Sequence, residues 1–207
     1  VAPTDDLNLS VFEHNTFTRV PRGAVLHRPG DRHENFVFHD NLFDRGPSGV
    51  APDEWGRFTS FHADDAGPND RFGTGVSVDG DMLLVGAHRQ DEAANDAGAA
   101  YLYARHRDGL ETWEPVANLM ASDALADDYL GKSVAIEGSI ALAGAPGREY
   151  DRGIVYVFER DLGGPEAWGE RTSFTASSGD YGDKFGESLD LSGDTAVVGA
   201  PKNYLDV

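Results

Sequence analysis

Polar and apolar residues alternate in short bursts along this chain, and the bursts recur. Val76 and Val78, Val134 and Ile136, and Leu189 and Leu191 each stand two residues apart. A period of two places such side chains on one face of a strand. Each pair leads into a tight turn centred on glycine: Asp79-Gly80-Asp81, Glu137-Gly138-Ser139 and Ser192-Gly193-Asp194. Glycine supplies the positive φ that a short hairpin needs. A nearly continuous apolar run follows, Met82 to Val85, Ile140 to Ala143 and Thr195 to Val198. Such a run predicts a strand buried on both faces. Aromatic alternation marks a third strand, Tyr101 with Tyr103 and Tyr156 with Phe158. A fourth starts at Trp113 or Trp168 and closes on Leu119 or Phe174.

Fixed landmarks tie these strands into a repeat. Phe72-Gly73, Leu130-Gly131 and Phe185-Gly186 are spaced by 58 and 55 residues. Val85-Gly86-Ala87, Ala143-Gly144-Ala145 and Val198-Gly199-Ala200 keep the same two spacings, and residues 98–105 match residues 153–160. Trp55, Trp113 and Trp168 each precede the next Phe-Gly or Leu-Gly by 17 residues. Four strands in about 55 residues fit one blade of a β-propeller. A single blade cannot cover both its faces, so several must stack.

The expected fold is therefore all-β, built of propeller blades of four antiparallel strands. Residues 1–61 read as a degenerate N-terminal blade, in which residues 1–22 carry no landmark. In it Gly23-Ala24 precedes Phe36-Val37-Phe38, a loop spans residues 40–54, and Trp55-Gly56 leads to Thr59-Ser60-Phe61. Residues 62–119 and 120–174 form two blades, and residues 175–207 the first half of a further one. Closed propellers generally have at least four blades. A partial propeller, a fragment of a longer protein, is expected. The alternatives are N-terminal strands completing the last blade, or chains associating to close the ring.

Charge narrows the partners. Asp and Glu total 36 against 17 Lys and Arg, a net charge of −19. Nucleic acid and anionic membranes are repelled by such a surface. No window approaches 18 apolar residues, so no membrane insertion is expected. Asp outnumbers Glu 24 to 12, and lysine occurs only at Lys132, Lys184 and Lys202. That balance suits concentrated salt and suggests a halophilic or marine source; an ordinary acidic secreted protein is the alternative. Cysteine is absent, which excludes disulfides, thiolate zinc sites and cysteine nucleophiles.

The landmarks resemble the FG-GAP repeat family, known from the propeller heads of integrin α subunits. The match lies in Phe72-Gly73 with Gly86-Ala87-His88, Leu130-Gly131 with Gly144-Ala145-Pro146, and Phe185-Gly186 with Gly199-Ala200-Pro201. It is most similar to the short-turn version arrayed in secreted prokaryotic proteins. The resemblance implies an extracellular or cell-surface propeller for adhesion or recognition. Integrin-type units often hold calcium between the Phe-Gly and Gly-Ala-Pro strands. Here that connection is only the tight turn, too short for about six oxygen ligands, so that site is not expected.

Two sets of candidate residues remain. Acidic clusters precede each Phe-Gly or Leu-Gly and include Asp65 and Asp70, Asp123 and Asp128, and Asp180 and Asp183. Calcium is a candidate occupant, because hard cations favour carboxylate-rich loops. Asp side chains that close their own turns are the alternative. The loops after Gly-Ala vary most and hold His88, Arg89, Asp91, Arg148, Glu149, Tyr150 and Arg152. Variable polar loops on a rigid scaffold are where binding usually resides; a merely solvated surface is the alternative. No cofactor is required by any motif.

Enzymatic signatures fail. Gly131-Lys132-Ser133 resembles the end of a phosphate loop, but the glycine needed five residues earlier is Ala126. No HExxH or GxSxG occurs. The chain is expected to be non-catalytic, binding a protein or glycan. A structural array of neighbouring copies (stalk, coat or surface layer) and an accessory domain of a secreted hydrolase are the alternatives.

Overall fold

The computed structural model describes residues 41–44, 57–60, 62–65, 67, 69–106 and 112–202. The chain divides into two compact units, residues 1–62 and 63–207. In the first unit, β1 (Asn41–Asp44) pairs antiparallel with β2 (Arg57–Ser60). The strand at β2 follows the Trp55 landmark as expected. β1 falls inside the segment read as a loop, because four residues bounded by Asn and Asp carry too little alternation to register. Phe36-Val37-Phe38 and Trp55 lie outside the described residues.

The second unit holds two complete sheets and part of a third. β3 (Phe72–Asp79), β4 (Met82–Ala87), β5 (Ala99–His106) and β6 (Thr112–Leu119) form one antiparallel sheet in chain order. β7 (Ser133–Glu137), β8 (Ile140–Ala145), β9 (Ile154–Arg160) and β10 (Trp168–Phe174) form the next. β11 (Ser188–Ser192) pairs with β12 (Thr195–Gly199) as half of another. Propeller blades are antiparallel sheets of four strands in chain order, and both complete sheets have that order, so the β-sheet fold read from the repeat is the fold observed. Gly80, Gly138 and Gly193 sit at φ 55°, 58° and 56° in the hairpin turns, the left-handed conformation that glycine adopts without strain.

First strands stack on first strands: β7 packs against β3 on one side and β11 on the other. Leu84, Leu102, Leu130, Ile136, Tyr156 and Phe158 join one buried cluster across the two full blades. Backbone hydrogen bonds reinforce the stacking. Leu130 N–H donates to the Ala97 carbonyl at 2.8 Å, and Phe185 N–H to the Arg152 carbonyl at 3.0 Å, one repeat on. Close approach explains the Gly-Ala landmark. A Cβ on Gly86 would stand 1.9 Å from the Gly131 carbonyl oxygen, and one on Gly144 would stand 2.1 Å from that of Gly186. The hairpin ends are tied as well. Asp79 Oδ2 accepts from Gly138 N–H and Glu137 Oε2 from Gly193 N–H, both at 2.7 Å.

Two burial expectations are corrected. Val76 and Val78 are 63% and 56% exposed, whereas Val134 and Ile136 are buried. Alternation gives the face but not what covers it: within this unit β7 lies between two copies and β3 beside one. β12, read as buried on both faces, is exposed over Thr195–Val197. It pairs only with β11 among the described residues, whereas β4 and β8 each lie between two strands.

Candidate functional site

Antiparallel order carries every loop before a first strand, and every loop from second to third strand, to the same end of the blades. Phe72, Ala87 and Ala99 share one level of the first sheet. Residues 63–65 and 69–71 and the segments 88–98, 120–132, 146–153 and 175–187 therefore form one rim. Both candidate sets lie on it: the acids expected before each Phe-Gly, and the polar residues expected after each Gly-Ala.

In the second blade the structure joins members of the two sets. Arg148 donates through Nη1 to Asp128 at 2.7 Å and through Nη2 to Asp123 at 2.6 Å. Nη1 also reaches the Asp123 carbonyl oxygen at 2.8 Å. Asp123 accepts in addition from the Tyr156 hydroxyl at 2.7 Å, and Asp128 from Leu125 N–H at 2.8 Å. The Arg148 side chain is only 12% exposed and that of Asp128 4%. Burial alone would pull the guanidinium down. The bonds to Asp128, reinforced by Tyr156 and Asp123, outweigh it and hold Arg148 above its usual range. Burial, then the bond to Asp123, lifts the Tyr156 hydroxyl above its ordinary range. Arg148, expected to face a ligand, instead bridges two carboxylates.

Beyond Arg148 the loop turns sharply. α1 (Arg148–Asp151) is a single turn in which Glu149, Tyr150 and Asp151 have φ of 51°, 58° and 65°. Three successive left-handed residues without glycine are strained. Tyr150 is thrown outward, 85% exposed, and meets Tyr181 edge to face at 5.6 Å between centroids. Arg152 pairs with Glu149 at 3.5 Å. Gly182 N–H and Lys184 N–H donate to the Tyr150 and Asp151 carbonyls, so the loop is stitched to the next repeat.

The first blade builds the same frame with different side chains. Asp65, Asp70 and Gln90 stand 58 residues before Asp123, Asp128 and Arg148, and Tyr101 stands 55 before Tyr156. Asp65 accepts from the Tyr101 hydroxyl at 3.0 Å, and Asp70 from Gly67 N–H at 2.7 Å. Burial and the Asp65 bond raise the Tyr101 hydroxyl above its ordinary range. Gln90 is buried, donating to Asp65 at 3.3 Å and accepting from Glu92 N–H at 3.0 Å. A cavity of about 360 Å³ opens between Asp65, Gly67, Asp70, Gln90, Asp91 and Glu92. Gln90 and Glu92 escaped the sequence reading. Setting Gln90 against Arg148 in the repeat register was the signal that could have found the first.

The other candidates fall between these two centres. His88 is buried where the other repeats carry Pro146 and Pro201. Its Nδ1 lies 2.9 Å from Thr74 Oγ1, whose own proton goes to the Arg71 carbonyl. Nδ1 must therefore be the donor. Burial, then Lys132, Arg71 and Arg89, push its pKa down to about 4. Arg89 lies over the Tyr129 ring at 5.9 Å and 3.8 Å from Asp96. Asp91 accepts from Asp96 N–H at 2.7 Å. In the third repeat Asp183 is buried and accepts from Asp180 N–H at 2.7 Å. Asp70, Asp128 and Asp183 thus all close their own turns. Among the described residues, no three His, Asp or Glu side chains converge as a metal-ligand set. No helix among them is long and apolar enough to cross a membrane.

An FG-GAP repeat model matches residues 55–103, 113–158 and 168–206. No curated protein matches the chain.

Proposed function

The chain belongs to the FG-GAP repeat family, and from that premise we propose that it is a non-catalytic recognition segment of an extracellular or cell-surface propeller. The ligand is a protein or a glycan, held on the rim that carries both candidate sets. One observation supports this reading above the others. The loops 88–98 and 146–153 are each tied by backbone hydrogen bonds to the segment that opens the next blade, yet they present different side chains on that common frame. Fixed backbone with varied display is the arrangement binding surfaces use.

Immobilised chain screened against glycan and peptide arrays tests the reading. Saturable binding that substitutions at Glu92 and Tyr150 reduce is expected. Absence of saturable binding to either array would overturn it. The regular coupling between repeats favours a second reading, a spacer or coat component whose partners are neighbouring copies. Self-association dependent on concentration, with no array binding, would select it.

A further inference from the structure

We propose that Tyr150 and Tyr181 are a site of oxidative cross-linking, at which a carbon–carbon bond between the two rings staples the second blade to the repeat that follows. The inference does not depend on what the rim binds. Geometry carries it. The rings meet edge to face, 5.6 Å between centroids, and the two residues are 85% and 74% exposed. The backbone beneath them is fixed across the boundary: Gly182, Lys184 and Phe185 N–H donate to the carbonyls of Tyr150, Asp151 and Arg152 at 3.2, 2.7 and 3.0 Å. Tyr150 reaches its partner from the left-handed run at Glu149–Asp151, and strain of this kind collects where a side chain is held for function. Ala126 stands where Tyr181 stands, 55 residues earlier, so the boundary between the first two blades has no such pair.

Coupling needs two phenols that an oxidant can reach and that touch each other. Among the described tyrosines these two meet both conditions. Tyr101, Tyr103 and Tyr156 are buried, and Tyr101 and Tyr156 donate their hydroxyl protons to Asp65 and Asp123. Tyr129 donates to Asp127 at 3.1 Å, and its ring neighbour is His88. The oxidant is hydrogen peroxide, acting through a haem peroxidase. Each phenol gives up one electron and one proton, leaving two tyrosyl radicals. The peroxide takes both electrons and both protons, its O–O bond breaks, and two waters form. The radicals couple at the ring carbons beside the hydroxyls, and the hydrogens displaced from those carbons return to the oxygens as the phenols re-form. Turning the rings about their side-chain bonds brings those carbons together, a motion open to side chains this exposed. Cysteine is absent, so no disulfide can join the repeats. The ring bond would close the stretch from residue 150 to residue 181, and a closed loop restricts the unfolded chain.

The full chain, dilute and treated with hydrogen peroxide and a haem peroxidase, tests the proposal. A monomeric product with the blue emission of dityrosine, lighter by two hydrogens, is expected. Proteolysis of it should release the peptides of Tyr150 and Tyr181 joined to each other. Tyr150→Phe and Tyr181→Phe should each abolish that product, whereas Tyr129→Phe should leave its yield unchanged. Each of the first two keeps an exposed ring and loses only a hydroxyl, so the fold is retained. The cross-linked chain should also unfold at a higher urea midpoint than Tyr150→Phe treated in the same way, a reference that shares any other oxidation. Joined peptides that lack either tyrosine, products linked only between chains, or a midpoint that does not rise would overturn the proposal.

Discussion

The two complete blades share one backbone plan and differ in how they treat a pair of aspartates. In the second, Arg148 closes the pair from within the chain. In the first, Gln90 leaves the corresponding carboxylates facing a cavity. The difference teaches that the frame is set by residues repeated in both blades, Asp70 with Asp128 and Tyr101 with Tyr156. The chemistry offered outward is set by one variable position between them. A repeat can thus keep its stability-bearing contacts while changing what its rim presents.

The sharpest way to break this contrast is to take the cation from the second blade. Arg148→Met should destabilise the unit by about 3–5 kcal/mol, because it strands Asp128 in a buried site. A urea midpoint measures it, and Asp128→Asn added to that variant should recover part of the loss. Acid tests another position at which the blades differ, His88 against Pro146. The folded-state pKa of about 4 lies below the ordinary 6.5, so the unfolded chain binds the proton first as pH falls. The stabilisation is complete above about pH 6.5 and lost as pH drops through about 4. It amounts to about 3 kcal/mol at about 1.4 kcal/mol per pH unit. His88→Pro should flatten that slope in melting curves recorded from pH 7 to 4.

What the blades share should respond alike. Gly86→Ala and Gly144→Ala each drive a Cβ into the carbonyl of the next blade. Each should cost about 1–3 kcal/mol, and a large inequality between them would show that the two boundaries are not equivalent. Gly80→Ala has open space around the new methyl and pays only for its positive φ, about 1 kcal/mol.

Much of the fold was legible because its signals are local. Glycine turns, apolar runs and the aromatic pairs Tyr101–Tyr103 and Tyr156–Phe158 declare strands without reference to neighbours. Burial was not local: Val76 and Val134 occupy the same repeat position, and only the strands stacked beside them decide which is covered. The site was half legible. Asp123, Asp128 and Arg148 were each singled out, but as acids awaiting a cation and a base awaiting a ligand. Their union depends on a loop folding back over 20 to 25 residues, a closure that spacing alone does not encode. The left-handed run at Glu149–Asp151 was equally hidden, since none of those residues is glycine.

The contact from Asp79 to Gly138, renewed from Glu137 to Gly193, has a genetic corollary. The first two copies each bring the carboxylate acceptor for the successor, and the second and third each bring the glycine the predecessor grips; the middle copy carries both. Tandem duplication of one such stretch, in frame, would insert a member already equipped to join on both sides. An array built this way would lengthen or shorten without inventing a new seam, while a single codon such as that of residue 90 would change what one member displays.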